Sequence, residues 1–233
     1  MRKSRSLDKK GFKGLQLIED YRLFPVDSYG RGLAQELFAS VKNLPIFSPH
    51  GHTNPAWFAK DEPFDNPAAL FVTADHYVFR MLVSQGLTLH ELGVQTLDDS
   101  VFENDPQKIW KKFSENYYLF RGTPTAMWLD YSFEKVFGIT ELLTPATSDF
   151  YYYEIEKKLS QPEYLPQALF DRFKIEVLST TDAAISDLNQ HENLKNSNWD
   201  GRIIPTYRPD GVVDPESSEF KNNLVKLGEL ANQ

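Results

Sequence analysis

Three apolar runs, Leu44–Ser48, Ile175–Asp182 and Arg202–Asp210, share one design: an apolar body followed by polar residues at the carboxyl end. The intervals between them are long enough to hold helices. Parallel strands need such crossovers, whereas a hairpin does not. The pattern therefore predicts an α/β chain with parallel strands. In α/β sheets and barrels, ligands bind at the carboxyl ends of the strands. That rule gathers His50, His52, Thr181, Asp182, Arg208 and Asp210 near one rim.

The rest of the chain reads as mainly helical. Leu33, Leu37 and Val41 follow Tyr29-Gly30-Arg31 at helical spacing. From about 53 to 172, Asp75 is a candidate N-cap for a helix over His76–Gln85, with Gly86 as its stop. Asp105-Pro106 and Thr123-Pro124 open two more helices, the first with Ile109, Trp110, Phe113 and Tyr117 on one face. Further helices are expected over Ser148–Leu159, Pro162–Phe173, Ile185–His191 and Ser217–Leu230. The expected segments are a basic tail over 1–20, a lead-in helix and first strand over 21–52, a helical region over 53–172, and two more strands with their helices over 173–233.

Composition limits the function classes. Hydrophobic residues at 41% can supply a core, which argues against a disordered chain. A net charge of −8 argues against a nucleic-acid partner. The basic N-terminal cluster is not followed by an apolar stretch, so it reads as a solvated tail rather than a secretory signal. No run is long enough to span a membrane. Cysteine is absent, so any metal must use His, Asp, Glu or water. A cytoplasmic setting fits that absence.

His50 and His52 account for two of the chain's five histidines. In an extended strand, residues two apart point to the same side, and Gly51 lets the backbone approach closely. Two neutral imidazoles aimed at one point make half of a metal site. A polar loop with two incidental histidines fits the same spacing. His76 and Tyr77 lie in the first turn of the Asp75-capped helix, where free N–H groups suit an anion, and Arg80 shares a face with His76. The alternative there is an amphipathic helix with Tyr77 and Met81 in the core. Arg208 can fork onto a carboxylate, or pair structurally with Asp210. Asp182 is open to three roles: ligand, orienter of a histidine, or N-cap of the next helix. His90 and His191 read as ordinary helix residues without chemistry. No phosphate loop, GxSxG elbow or EF-hand pattern is present.

Taken in order, Pro45–His52, Asp75-His76-Tyr77-Val78-Phe79-Arg80-Met81, Phe137-Gly138-Ile139, Ser179-Thr180-Thr181-Asp182 and Tyr207-Arg208-Pro209-Asp210 resemble the blocks of uronate (glucuronate) isomerases. These belong to the amidohydrolase superfamily of (β/α)8 barrels. The resemblance runs from about residue 20 onward. It implies a TIM-barrel type of α/β fold, here with about the first three strands and a large helical insertion after strand 1. It implies aldose–ketose isomerisation in hexuronate catabolism: D-glucuronate with D-fructuronate, and D-galacturonate with D-tagaturonate. It implies a divalent metal, commonly zinc, on His50 and His52. It places His76 and Tyr77 as catalytic residues reaching into the active site from the insertion, and Arg208, with Arg80, as substrate-binding.

Against that pattern, only three barrel-type strands are counted, and the family's last-strand aspartate has no counterpart. Three strands cannot close a barrel. The expectation is that the chain is the N-terminal portion of a longer enzyme, or a shortened chain that needs a partner or the missing half, as a homo-oligomer or otherwise. Little isomerase activity is expected of it alone. The competing expectations are a metal-dependent hydrolase of the same superfamily and a non-catalytic sugar-acid-binding fragment.

Overall fold

The structure is a computed structural model that describes residues 17–18, 21–95 and 101–232. Nearly all of the expected basic tail lies outside the described residues. In chain order the main elements are α1 (Ser28–Val41), β1 (Ile46–Ser48), α2 (Pro55–Lys60), α3 (His76–Ser84), α4 (Pro106–Glu115), α5 (Pro124–Tyr131), α6 (Ser148–Leu159), α7 (Pro166–Arg172), β2 (Ile175–Ala183), α8 (Asn189–Lys195), β3 (Arg202–Arg208), α9 (Asp210–Val213) and α10 (Phe220–Ala231). They form two compact units. The helical unit comprises Met1–Gln35 and Phe64–Ser160, and the sheet unit comprises Glu36–Pro63 and Gln161–Gln233. The division falls inside α1, none of whose residues is buried.

In the sheet unit, β1, β2 and β3 pair in that order, and both pairings are parallel. This is the α/β arrangement expected from the three runs. Leu178 and Ile203 are register partners, and they pack with Phe58 of α2, Phe170 of α7 and Leu194 of α8. Phe58 lies flat against Trp199 with ring centroids 5.8 Å apart. The first strand is shorter than expected: it starts at Ile46, leaving Leu44 exposed. The helix expected over Ile185–His191 starts instead at Asn189. Leu188 sits in the left-handed region with φ 53°, which a helix cannot pass through, and the Asp187 side chain accepts from the Asn189 amide at 3.1 Å.

The helical unit is organised by its caps. Asp75 accepts from the Tyr77 amide at 2.8 Å, Asp105 from Gln107 at 3.0 Å, and Thr123 from Ala126 at 3.2 Å. Each satisfies a helix-start N–H that would otherwise lack a partner. Behind them Trp110, Phe113, Phe120, Phe133 and Tyr151 form an aromatic core, each 1% exposed or less. The rings meet edge-on or tilted, with Phe133 and Tyr151 5.1 Å apart at 86° and Trp110 and Phe113 5.2 Å apart at 58°. The buried polar atoms are paired: Trp110 Nε1 donates to the Ser148 carbonyl at 3.1 Å, and the Ser114 and Ser148 hydroxyls lie 2.6 Å apart. Two π-helical turns, Ala69–Thr73 and Ser132–Val136, interrupt the regular helices.

Candidate active site

The histidine pair lies in the loop just after β1 rather than within the strand, because pairing with β2 ends at Ser48 opposite Leu178. The loop nonetheless brings the imidazoles together. His50 Nε2 and His52 Nε2 are 3.0 Å apart, with ring centroids at 4.9 Å. Two nitrogens bound to one tetrahedral zinc at about 2.0–2.1 Å would be about 3.3 Å apart. The pair therefore has the donor type and nearly the bite of a bidentate metal chelate. Among the described residues no group of three or more His, Asp or Glu side chains converges on a metal position. Glycine suits position 51, since a Cβ there would lie 3.0 Å from the Ser179 carbonyl oxygen, tighter than an ordinary contact.

Register decides what the ends of β2 and β3 present. Partners in adjacent strands share a face, and faces alternate along each strand. Leu178 and Ile203 face the helices, so Thr180 and Asp182, with their partners Pro205 and Tyr207, lie on that face. Ser179, Thr181, Thr206 and Arg208 lie on the opposite face. Asp182 thus stands apart from Arg208. It accepts from the Thr180 hydroxyl at 2.7 Å, and that hydroxyl lies 2.8 Å from His191 Nε2 of α8. Asp182 is not the cap of α8, whose N-cap position is Leu188. Its role as orienter of a histidine, through Thr180, fits the geometry.

His191, an ordinary helix residue by sequence, is drawn into this cluster. Its side chain is only 9% exposed, and its Nε2 is 3.8 Å from Asp182 Oδ2. The available signal was the Thr180/Asp182 alternation, which points two polar groups toward the following helix. Arg208 forms the ion pair with Asp210 that was one of its two expected roles, at 3.3 Å. The guanidinium is half exposed, so the pair does not close it off.

In the helical unit, His76 and Tyr77 open α3, with ring centroids 4.2 Å apart. Tyr77 is 58% exposed, while Val78 and Leu82 take the buried positions. Tyr77 is therefore not the core residue that the alternative reading required. Arg80 is exposed on the same helix. Trp128 of α5, not singled out from sequence, meets Tyr77 edge-on at 6.5 Å and is half exposed. The π-turn before α3 and the one after α5 touch through Phe71 and Phe133, at 5.5 Å. Single π-helical turns of this kind recur at functional sites.

A parallel α/β chain with a histidine pair just beyond a strand end is the class that fold and site define. The glucuronate isomerase family model matches residues 28–233, and the chain belongs to that family. It is 53% identical over 214 residues to the uronate isomerase of Rhizobium meliloti (strain 1021), covering 92% of this chain and 46% of that one. It is 48% identical over 216 residues to the uronate isomerase of Sphingopyxis alaskensis, covering 91% and 45%. The crystal structure of glucuronate isomerase from Caulobacter crescentus superposes with a TM-score of 0.88 at 42% identity, over 93% of this chain and 45% of that chain. The uronate isomerase structure from Thermotoga maritima gives 0.75 at 28% identity, over 84% and 41%. The chain spans about half the length of the curated relatives it matches. Relatives named as isomerases do not favour the hydrolase alternative. Among the described residues no helix is long and apolar enough to cross a membrane.

Proposed function

We propose that this chain carries part of the machinery of a uronate isomerase, interconverting aldose and ketose forms of a hexuronate in the cytoplasm. The observation that carries the reading is the convergence of His50 and His52 at 3.0 Å in a chain of this family. The parallel β1-β2-β3 sheet is read as three successive strands of a (β/α)8 barrel, with the helical unit inserted after the first.

His50 and His52 are the residues that would hold a divalent metal, with zinc favoured by an all-imidazole donor pair. When bound, such an ion polarises a carbonyl or hydroxyl oxygen. The chain's own residues do the rest. Isomerisation moves a proton from C2 to C1 and shifts a hydroxyl proton between the two oxygens. The exposed Tyr77 phenol is assigned to the hydroxyl proton, with the His76 ring beside it, tilted by 33° at 4.2 Å between centroids. Arg208, half exposed, is assigned to anionic substrate oxygen, and Arg80 to the same class of contact.

The test is a chimera in which this chain replaces the matched segment of the Rhizobium meliloti relative. The chimera should interconvert D-glucuronate and D-fructuronate. Tyr77→Phe in it should lower kcat by about 10²-fold or more, the usual worth of a positioned proton-transfer group. A Tyr77→Phe chimera with unchanged turnover would remove Tyr77 from the mechanism. A chimera that folds and binds zinc but turns over no uronate would overturn the functional reading.

A further inference from the structure

We infer that two hydroxyls, those of Thr181 and Ser48, act as positioning residues for the His50-Gly51-His52 loop. The inference rests on His50 and His52 being the metal-binding pair. The β1–β2 ladder stops at Ser48 opposite Leu178, so among the described residues no strand pairing holds the loop beyond that point. Side chains take over. The Thr181 hydroxyl donates to the Gly51 carbonyl at 3.3 Å, reaching across from β2. The Ser48 hydroxyl donates to the His50 carbonyl at 3.3 Å, from the last residue of β1. Two successive carbonyls between the histidines are thereby tied, one from each strand. Gly51 completes the fit, its bare Cα facing the Ser179 carbonyl oxygen where a Cβ would sit 3.0 Å away. Fixing the peptide between two imidazoles fixes the angle at which both rings leave it. This is the kind of outer support that orients metal ligands.

Thr181→Val removes the hydroxyl with little change of shape, and Thr181→Ser keeps it. Zinc affinity by calorimetry and the visible absorption of the cobalt form would be read on this chain, with the imidazole nitrogen signals of the metal-free protein as a second readout. Thr181→Val should weaken zinc binding at least about tenfold, the lower end seen for lost outer-shell support. Thr181→Ser should stay within about threefold of the parent, and Ser48→Ala should weaken binding in the same direction. Thr181→Val should also lose the nitrogen signature of the His50–His52 hydrogen bond without metal. Unchanged affinity in Thr181→Val, or an equal loss in Thr181→Ser, would overturn the inference. If the parent chain binds no zinc, the metal reading falls. The metal-free signal then decides the clamp alone: kept in Thr181→Val, it overturns the clamp, and lost there but kept in Thr181→Ser, it supports it.

Discussion

The two units bury their aromatic and aliphatic residues in different ways. In the helical unit, Trp110, Phe113, Phe120, Phe133 and Tyr151 are sealed among one another. In the sheet unit the core sits on one side of the strands, on Leu178 and Ile203, while Phe47 and Ile204 remain 60% and 41% exposed. Parallel sheets are normally covered on both faces. A barrel closed by further strands, as proposed above, would cover this one, and the matched relatives are about twice as long. The contrast separates a self-contained scaffold presenting Tyr77 from a half-covered sheet presenting Arg208 and the histidine loop.

The sharpest way to break the comparison is Trp110→Ala. Deleting a fully buried indole should cost the helical unit about 3–5 kcal/mol. Hydrogen exchange resolved by segment would show faster exchange in α4 and α6, with β2 and β3 unchanged. Equal loosening of β2 would show that the units do not hold their stability separately. Tyr117→Phe is the next largest. The Tyr117 hydroxyl donates to Asp130 at 2.7 Å. Burial raises the Asp130 carboxyl above its ordinary value, and the tyrosine bond opposes that rise. A carboxyl raised in the folded state contributes stability that is full below its unfolded pKa and is lost as pH rises through the folded value. Removing the donor raises Asp130 further and enlarges that loss. The variant should therefore match the parent most closely near pH 3–4 and trail it by about 1–3 kcal/mol at neutral pH. Urea melts across that range would check it, and a pH-independent difference would refute the assignment.

Local signals were the legible part of the sequence. Asp75, Asp105 and Thr123 were readable as caps because a cap needs only residues two or three positions on. The runs of β2 and β3 were readable because apolar bodies with polar ends persist over several residues. The start of α8 was not, because Leu188 at φ 53° is a backbone state no leucine favours alone. His191 was missed for a related reason: its partners Thr180 and Asp182 become neighbours only once α8 packs on the sheet. The two π-turns leave no periodicity of their own. The stripe Leu33, Leu37 and Val41 gave the helix correctly but not its burial, since all three are exposed in α1.

The smallest expected effect sharpens the comparison most directly. Phe47 is exposed on β1, so its ring contributes little burial within this chain. Phe47→Ser should leave the unfolding free energy within about 0.5 kcal/mol of the parent, as for surface positions generally. The same change on a sealed ring such as Phe133 would open a cavity and bury a hydroxyl. An exposed apolar residue on a short edge strand also invites pairing with other molecules. Light scattering at rising concentration should therefore show less self-association for Phe47→Ser than for the parent. A loss of several kcal/mol instead would mean that Phe47 is already part of a closed core, and the contrast between the two units would be lost.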